Sequence, residues 1–97
     1  MPEGRKTFYR SSIELIKMYP AVVGVSPLSK YQLRLAFANG EVKRFDMTPY
    51  LGIGLFKELT EKGMFETVAI SFDTIAWANQ ADIDPETLYH GGEPMAE

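Results

Sequence analysis

From Tyr31 to Phe37 apolar and polar positions alternate, with Tyr31, Leu33, Leu35 and Phe37 on one side and Gln32, Arg34 and Ala36 on the other. A period of two is that of a strand with one buried face. Asn39-Gly40 follows, residue types that accept positive φ, and predicts a hairpin turn. Two registers compete. A two-residue loop sets Leu33 against Asp46 and Leu35 against Arg44, mixing core and charge on one face. A three-residue loop with Gly40 as bulge sets Leu33 against Phe45 and Tyr31 against Met47, which separates apolar from charged positions better. The bulged register is therefore the predicted one, and it places Arg34 directly opposite Arg44.

Ala21 to Ser26 is short and β-branched, and reads as a further strand. Gly54-Leu-Phe-Lys-Glu-Leu-Thr-Glu-Lys-Gly63 predicts a two-turn helix. Phe56 and Leu59 share a face, Glu58 and Lys62 form an i,i+4 pair, and Gly63 suits a left-handed C′ position with Met64 packing back on Leu59. Val68, Ile70 and Phe72 alternate with Thr67, Ala69 and Ser71, and Asp73-Thr74 turns the chain into Ile75-Ala-Trp77. Asp84-Pro85-Glu86 places a capping acid before a proline at N1, and Gly91 ends the short helix that follows. Near the N-terminus, Ser12 to Met18 is either a short helix or an extended segment, with helix favoured; Pro20 ends it in both cases.

These elements define an α+β fold, a small antiparallel sheet built on hairpins with short helices packed against it. The predicted organisation is an N-terminal extension over residues 1–20, a single α+β domain over 21–90, and a flexible tail over 91–97. No repeat, linker or low-complexity block divides the chain.

The chain has 97 residues, and one this size buries only roughly 60 to 68% of its unfolded surface, which makes a large enclosed active site improbable. Its 45% hydrophobic and 24% charged residues are a globular composition. The net charge of -3 gives no general attraction to nucleic acid or anionic lipid. Charge is nonetheless uneven: Arg5, Lys6, Arg10 and Lys17 lie near the start, whereas residues 82–97 carry acids and neither lysine nor arginine. There is no cysteine, which excludes disulfides, thiolate metal sites and thiol nucleophiles and fits a reducing compartment. The run Met18 to Val25 is broken by Pro20 and Gly24 and is far short of the roughly 20 residues a membrane span needs. Glu14 and Lys17 interrupt the only candidate signal-peptide core. The expectation is a cytoplasmic protein.

Candidate chemistry is sparse. Gly52-Ile-Gly54-Leu-Phe-Lys57 lacks the third glycine of a dinucleotide fingerprint and the Gly-Lys-Ser/Thr of a P-loop, so a helix start is the simpler reading. His90, followed by two glycines, is the sole imidazole and has no evident orienting partner. Asp82, Asp84 and Glu86 alternate as hard oxygen ligands do, but lack the glycine and downstream glutamate of a calcium loop; capping and surface charge account for them. No metal or cofactor is expected. Arg34 and Arg44, like charges face to face, need an acidic neighbour, either Asp46 or the acidic C-terminal segment. The functional reading of Arg34, Arg44 and Asp46 is a contact for an anionic or protein partner. Tyr50, Trp77 and Tyr89 are the alternative site, aromatic rings around a shallow ligand pocket. Core packing is the simpler role for Trp77.

The Asn39-Gly40 hairpin, Phe45-Asp46 leading into Pro49-Tyr50-Leu51, the region from Phe56 to Phe65, and Trp77 through Asp82-Ile83-Asp84-Pro85 to Leu88-Tyr89 together resemble the small bacterial family named domain of unknown function 2442. The resemblance spans roughly residues 21–89. It implies a small α+β domain and supplies no established catalytic residues. One departure is Gln80, which stands where family members tend to carry glycine. Small members of the family are often encoded beside another small protein, a pairing that looks like a toxin with its antitoxin; longer relatives append a helix-turn-helix domain, for which this chain leaves no room. The expectation is a non-catalytic interaction domain, antitoxin-like, bound to another small protein through a sheet face or the edge of Ala21 to Ser26. A homodimer through strand edges is compatible, and direct DNA binding is not expected. A small-ligand binding domain is the alternative.

Overall fold

A computed structural model describes residues 19–95, so the predicted Ser12–Met18 helix lies outside the described residues. Among the described residues, seven strands form two antiparallel sheets. The larger has the order β1-β2-β3-β7, with β1 at Val22–Leu28, β2 at Gln32–Phe37, β3 at Val42–Asp46 and β7 at Glu93–Pro94. The smaller has the order β4-β5-β6, at Ala69–Ser71, Thr74–Ala76 and Asp82–Ile83. With the short helices between them this is an α+β fold.

The central hairpin adopts the bulged register. Leu33 lies opposite Phe45 and Arg34 opposite Arg44, and the amide of Met47 donates to the carbonyl of Tyr31 at 2.9 Å. Gly40, at φ 93, closes the loop. Cross-strand partners share a face, so the inner face carries Leu33, Leu35, Phe37 and Phe45, all buried. The outer face carries Gln32, Arg34, Arg44 and Asp46. Removing the inner-face side chains from water is the main favourable term for a sheet of this kind.

The core extends from this face to Met47, Leu59, Phe65, Ile75, Trp77, Ile83 and Leu88. A chain of ring contacts runs through it, from Phe45 to Tyr50, Phe56, Trp77, Phe65 and Tyr31, with centroids 5.3–6.4 Å apart. The two sheets meet where the Val22 amide donates to the Asp73 carbonyl at 3.0 Å and β1 lies against β4 and β5.

The segment 54–65 departs from the predicted helix. Gly54–Thr60 is a 3-10 helix, Glu61 is extended at ψ 120, and only then does a single α-helical turn form, α1 at Lys62–Phe65. Gly63 lies inside α1 rather than at a left-handed cap, and the positive-φ glycines among the described residues are Gly40 and Gly54. The Schellman ending with Met64 at C″ is thus absent, and Glu58 and Lys62 are not on one helix. Outside side chains compete for the carbonyls a continuous α-helix would use. Tyr31 Oη donates to the Thr60 carbonyl at 2.7 Å and Asn79 Nδ2 to that of Leu55 at 3.1 Å. Breaking the helix lets Phe65 reach the core and offer its carbonyl to the indole N–H of Trp77 at 3.0 Å.

Two further expectations change. Phe72 does not continue a strand; it sits with Asp73 in the turn between β4 and β5, at φ 58, because Ser71 pairs with Thr74. Residues 91–95 are not a detached tail. α2, Pro85–Gly91, is capped by Asp84 as predicted, with its carboxylate accepting from the Thr87 amide. The chain then turns back so that β7 pairs with β3, and the Met95 amide donates to the Val42 carbonyl at 2.9 Å. Gly91 and Gly92 permit this crossing. A Cβ on Gly91 would stand 2.8 Å from Phe45 Cε1, and one on Gly92 would stand 2.9 Å from Lys43 Cβ.

Candidate functional site

The outer face of the larger sheet holds Arg34, Arg44 and Asp46, as the register requires. Arg44 reaches Glu93 at 3.6 Å, so the acidic C-terminal segment supplies the counter-charge through β7. Both groups are largely solvated, and such a pair contributes at most about 1 kcal/mol. Asp46 accepts from the Thr48 amide at 2.9 Å, which fixes the turn out of β3. That backbone hydrogen bond holds its carboxyl below the usual aspartate range. Arg44 and Asp46 therefore have internal roles on this face.

Tyr50, Trp77 and Tyr89 do not converge. Trp77 is only 3% exposed and its indole is satisfied within the core. Tyr50 opens on a cavity beside β6 and α2, whereas Tyr89 lines a different cleft along β3. In that second cleft Lys43 is the residue the sequence reading passed over. It lies opposite Leu35, on the apolar side of the sheet, and its side chain is only 13% exposed. Its ammonium sits 3.7 Å from the centre of the Tyr89 ring and donates to the Tyr89 carbonyl at 2.6 Å, with Glu41 3.8 Å away. The Glu41 carboxylate takes the Tyr89 hydroxyl hydrogen bond, which raises the phenol above its ordinary pKa, helped by desolvation. Lysine, tyrosine and glutamate thus satisfy one another. The predicted register, with Lys43 facing Leu35, was the available signal. His90 is not unsupported: it lies edge-on to the rings of Tyr19 and Tyr89.

Phe72 is the least expected surface residue. It is 99% exposed and takes a positive φ that bulky side chains rarely adopt. Val23, 60% exposed, and Ile70, 41% exposed, lie on neighbouring strands at the same corner, next to the bond from Val22 to Asp73. The open edges of the larger sheet are different. β1 has a register shift between Val22 and Gly24 and a proline, Pro27, opposite Leu33; β7, on the other edge, contains Pro94. Bulges and prolines deprive an edge of the regular N–H donors that strand pairing needs.

The model of the family described as protein of unknown function (DUF2442) matches residues 22–94. The chain belongs to the DUF2442 family. The match begins with β1 and ends with β7, so both edges of the larger sheet fall inside the DUF2442 domain. No curated protein and no solved structure matches the chain. Among the described residues of this DUF2442 protein, no group of three or more histidine, aspartate or glutamate side chains is placed to hold a metal ion. Among the same residues, no helix is long and apolar enough to cross a membrane.

Proposed function

We propose that this DUF2442 protein is a non-catalytic protein-interaction domain that engages another small protein through the corner formed by Phe72, Val23 and Ile70. The observation that carries the reading is Phe72. A bulky residue at positive φ costs about 1 kcal/mol in backbone strain, and at full exposure it recovers none of that through packing. Burying the same ring in a partner's apolar pocket is worth about 2 to 3 kcal/mol. Aromatic anchors of this kind dominate the energy of many interfaces.

The partner is a second small protein, in keeping with the antitoxin-like pairing that the family resemblance implies, and the complex forms in the cytoplasm. Strand-edge dimerisation is the weaker reading, since Pro27, Pro94 and the bulge in β1 all reduce edge pairing. The polar face around Arg34, Arg44 and Asp46 is a secondary contact that steers encounter more than it adds affinity. The test is quantitative affinity purification of tagged full-length chain from its host. Wild type recovers one small protein in stoichiometric amount, Phe72→Asp loses it, and the double variant Arg34→Glu, Arg44→Glu keeps most of it. Recovery that survives Phe72→Asp and vanishes with the arginine variant would move the contact to the outer sheet face.

A further inference from the structure

The cavity beside Tyr50 has a chemistry of its own. It measures about 370 Å³, at the lower end of the roughly 300 to 1,000 Å³ typical of small-ligand sites. Its walls include the rings of Tyr50 and Phe56, set edge to face with centroids 6.1 Å apart and an angle of 66° between their planes. Around them lie Thr74, Asp82, Asp84 and Thr87. Both rings are half-buried, so each presents surface to the cavity as well as to the core.

Donor accounting narrows the occupant. Thr74 commits its hydroxyl hydrogen to the Ile83 carbonyl. Thr87 commits its own to Asp84 Oδ1 at 2.8 Å. A hydroxyl has one hydrogen to give, so each threonine oxygen has only acceptor lone pairs left to offer. Asp82 and Asp84 add carboxylate oxygens, and the Thr87 side-chain hydrogen bond holds Asp84 below the usual aspartate range, hence charged at neutral pH. Apart from the Tyr50 hydroxyl, the side chains lining the cavity offer acceptors alone, and none is lysine or arginine. The two aromatic rings that line it, inclined at 66°, add π systems, whose negative faces attract a cation.

We propose that this cavity is a binding site for an organic cation, an alkylammonium or guanidinium group whose N–H donors meet Asp82, Asp84 and the threonine oxygens while its alkyl part rests on Tyr50 and Phe56. The group belongs to a free amine or to a basic side chain of a bound protein; the chemistry recognised is the same. Phe72, Val23 and Ile70 are not among the residues lining the cavity, and its test involves no partner protein, so either proposal can fail alone.

The test is a titration of the isotope-labelled full-length chain followed by amide chemical shifts. The probes are agmatine, the blocked tripeptide acetyl-Ala-Arg-Ala-amide, and hexanoate as an anionic control. Saturable shifts confined to the neighbourhood of Thr74, Ile83 and Thr87 are expected with agmatine or the tripeptide and absent with hexanoate. Tighter binding of agmatine assigns the site to a free amine, and tighter binding of the peptide assigns it to a protein side chain. Asp82→Asn, on an exposed position of β6, weakens binding by at least about tenfold, the effect of losing a charged hydrogen-bond partner. Tyr50→Leu weakens it through the aromatic wall, and Glu86→Gln, outside the cavity lining, leaves it unchanged. No saturation by either cation up to roughly 10 mM, equal shifts from hexanoate, or binding indifferent to both Asp82→Asn and Tyr50→Leu would overturn the proposal.

Discussion

The larger sheet ends in Pro27 on one edge and Pro94 on the other, whereas the smaller sheet ends in Phe72, an exposed ring on a strained turn. In the larger sheet the inner-face side chains of the central hairpin, Leu33, Leu35, Phe37 and Phe45, are committed to the core, Glu93 gives Arg44 a counter-charge opposite Arg34, and the edges lack regular donors. Folding accounts for nearly all of its residues. At the corner of the smaller sheet, Phe72 and Ile70, joined by Val23 from the adjoining β1, leave apolar surface in water, and Phe72 sits in an unfavourable backbone region. Folding alone does not account for them. Where a side chain costs stability and gains no packing, its role is sought in what the folded protein meets.

The sharpest way to test the contrast is to truncate one apolar residue in each sheet. Leu35→Ala, at a fully buried position, lowers unfolding free energy by about 2 to 5 kcal/mol in urea denaturation, whereas Ile70→Ala changes it by less than about 1 kcal/mol. Equal losses would erase the distinction between the two regions. Next comes the closure of the larger sheet. Gly91→Ala forces a methyl group against Phe45 and costs about 1 to 3 kcal/mol, with faster hydrogen exchange at the Met95 amide as β7 loosens.

Asp84→Ala removes the α2 cap and costs about 1 kcal/mol. Because the folded pKa of Asp84 is depressed, its contribution is present above the unfolded value of about 3.9 and fades as pH falls through the folded value. The variant therefore loses less stability than wild type when acid is added across that window, as thermal melts from neutral pH downward would record. The smallest effect has the opposite sign. Gln80, like Phe72, holds a positive φ, here 77, and Gln80→Gly raises stability by up to about 1 kcal/mol. A loss on that substitution would mean that the loop after Trp77 is held by the glutamine side chain.

Gln80 also shows what was readable in advance. The resemblance implied a glycine at this position, and a φ of 77 is one that glycine adopts without strain. The β2–β3 hairpin was readable for a related reason: a one-residue slip would have put charge in the core, so alternation alone selected the register. The Asp84 cap was readable because its chemistry is local. The end of the helix expected over 54–63 is not legible in the sequence because it depends on Tyr31 and Asn79, side chains remote in sequence that claim its carbonyls. The Phe72 turn was missed because a phenylalanine after alternating residues looks like more strand. The site residues fared unevenly for the same reason. Arg34, Arg44 and Asp46 share a face through strand register, while Tyr50, Trp77 and Tyr89 were grouped by residue type, which carries no information about direction.

The measurement that bears most directly on the central claim joins stability and binding in one variant, Phe72→Gly. Urea unfolding of the pure chain and quantitative recovery of its co-purifying protein are read side by side against wild type. Stability equal to or above wild type together with lost recovery is the predicted result, since the ring serves the partner and burdens the fold. A clear fall in stability with recovery retained would contradict the account and return Phe72 to the folding of the smaller sheet.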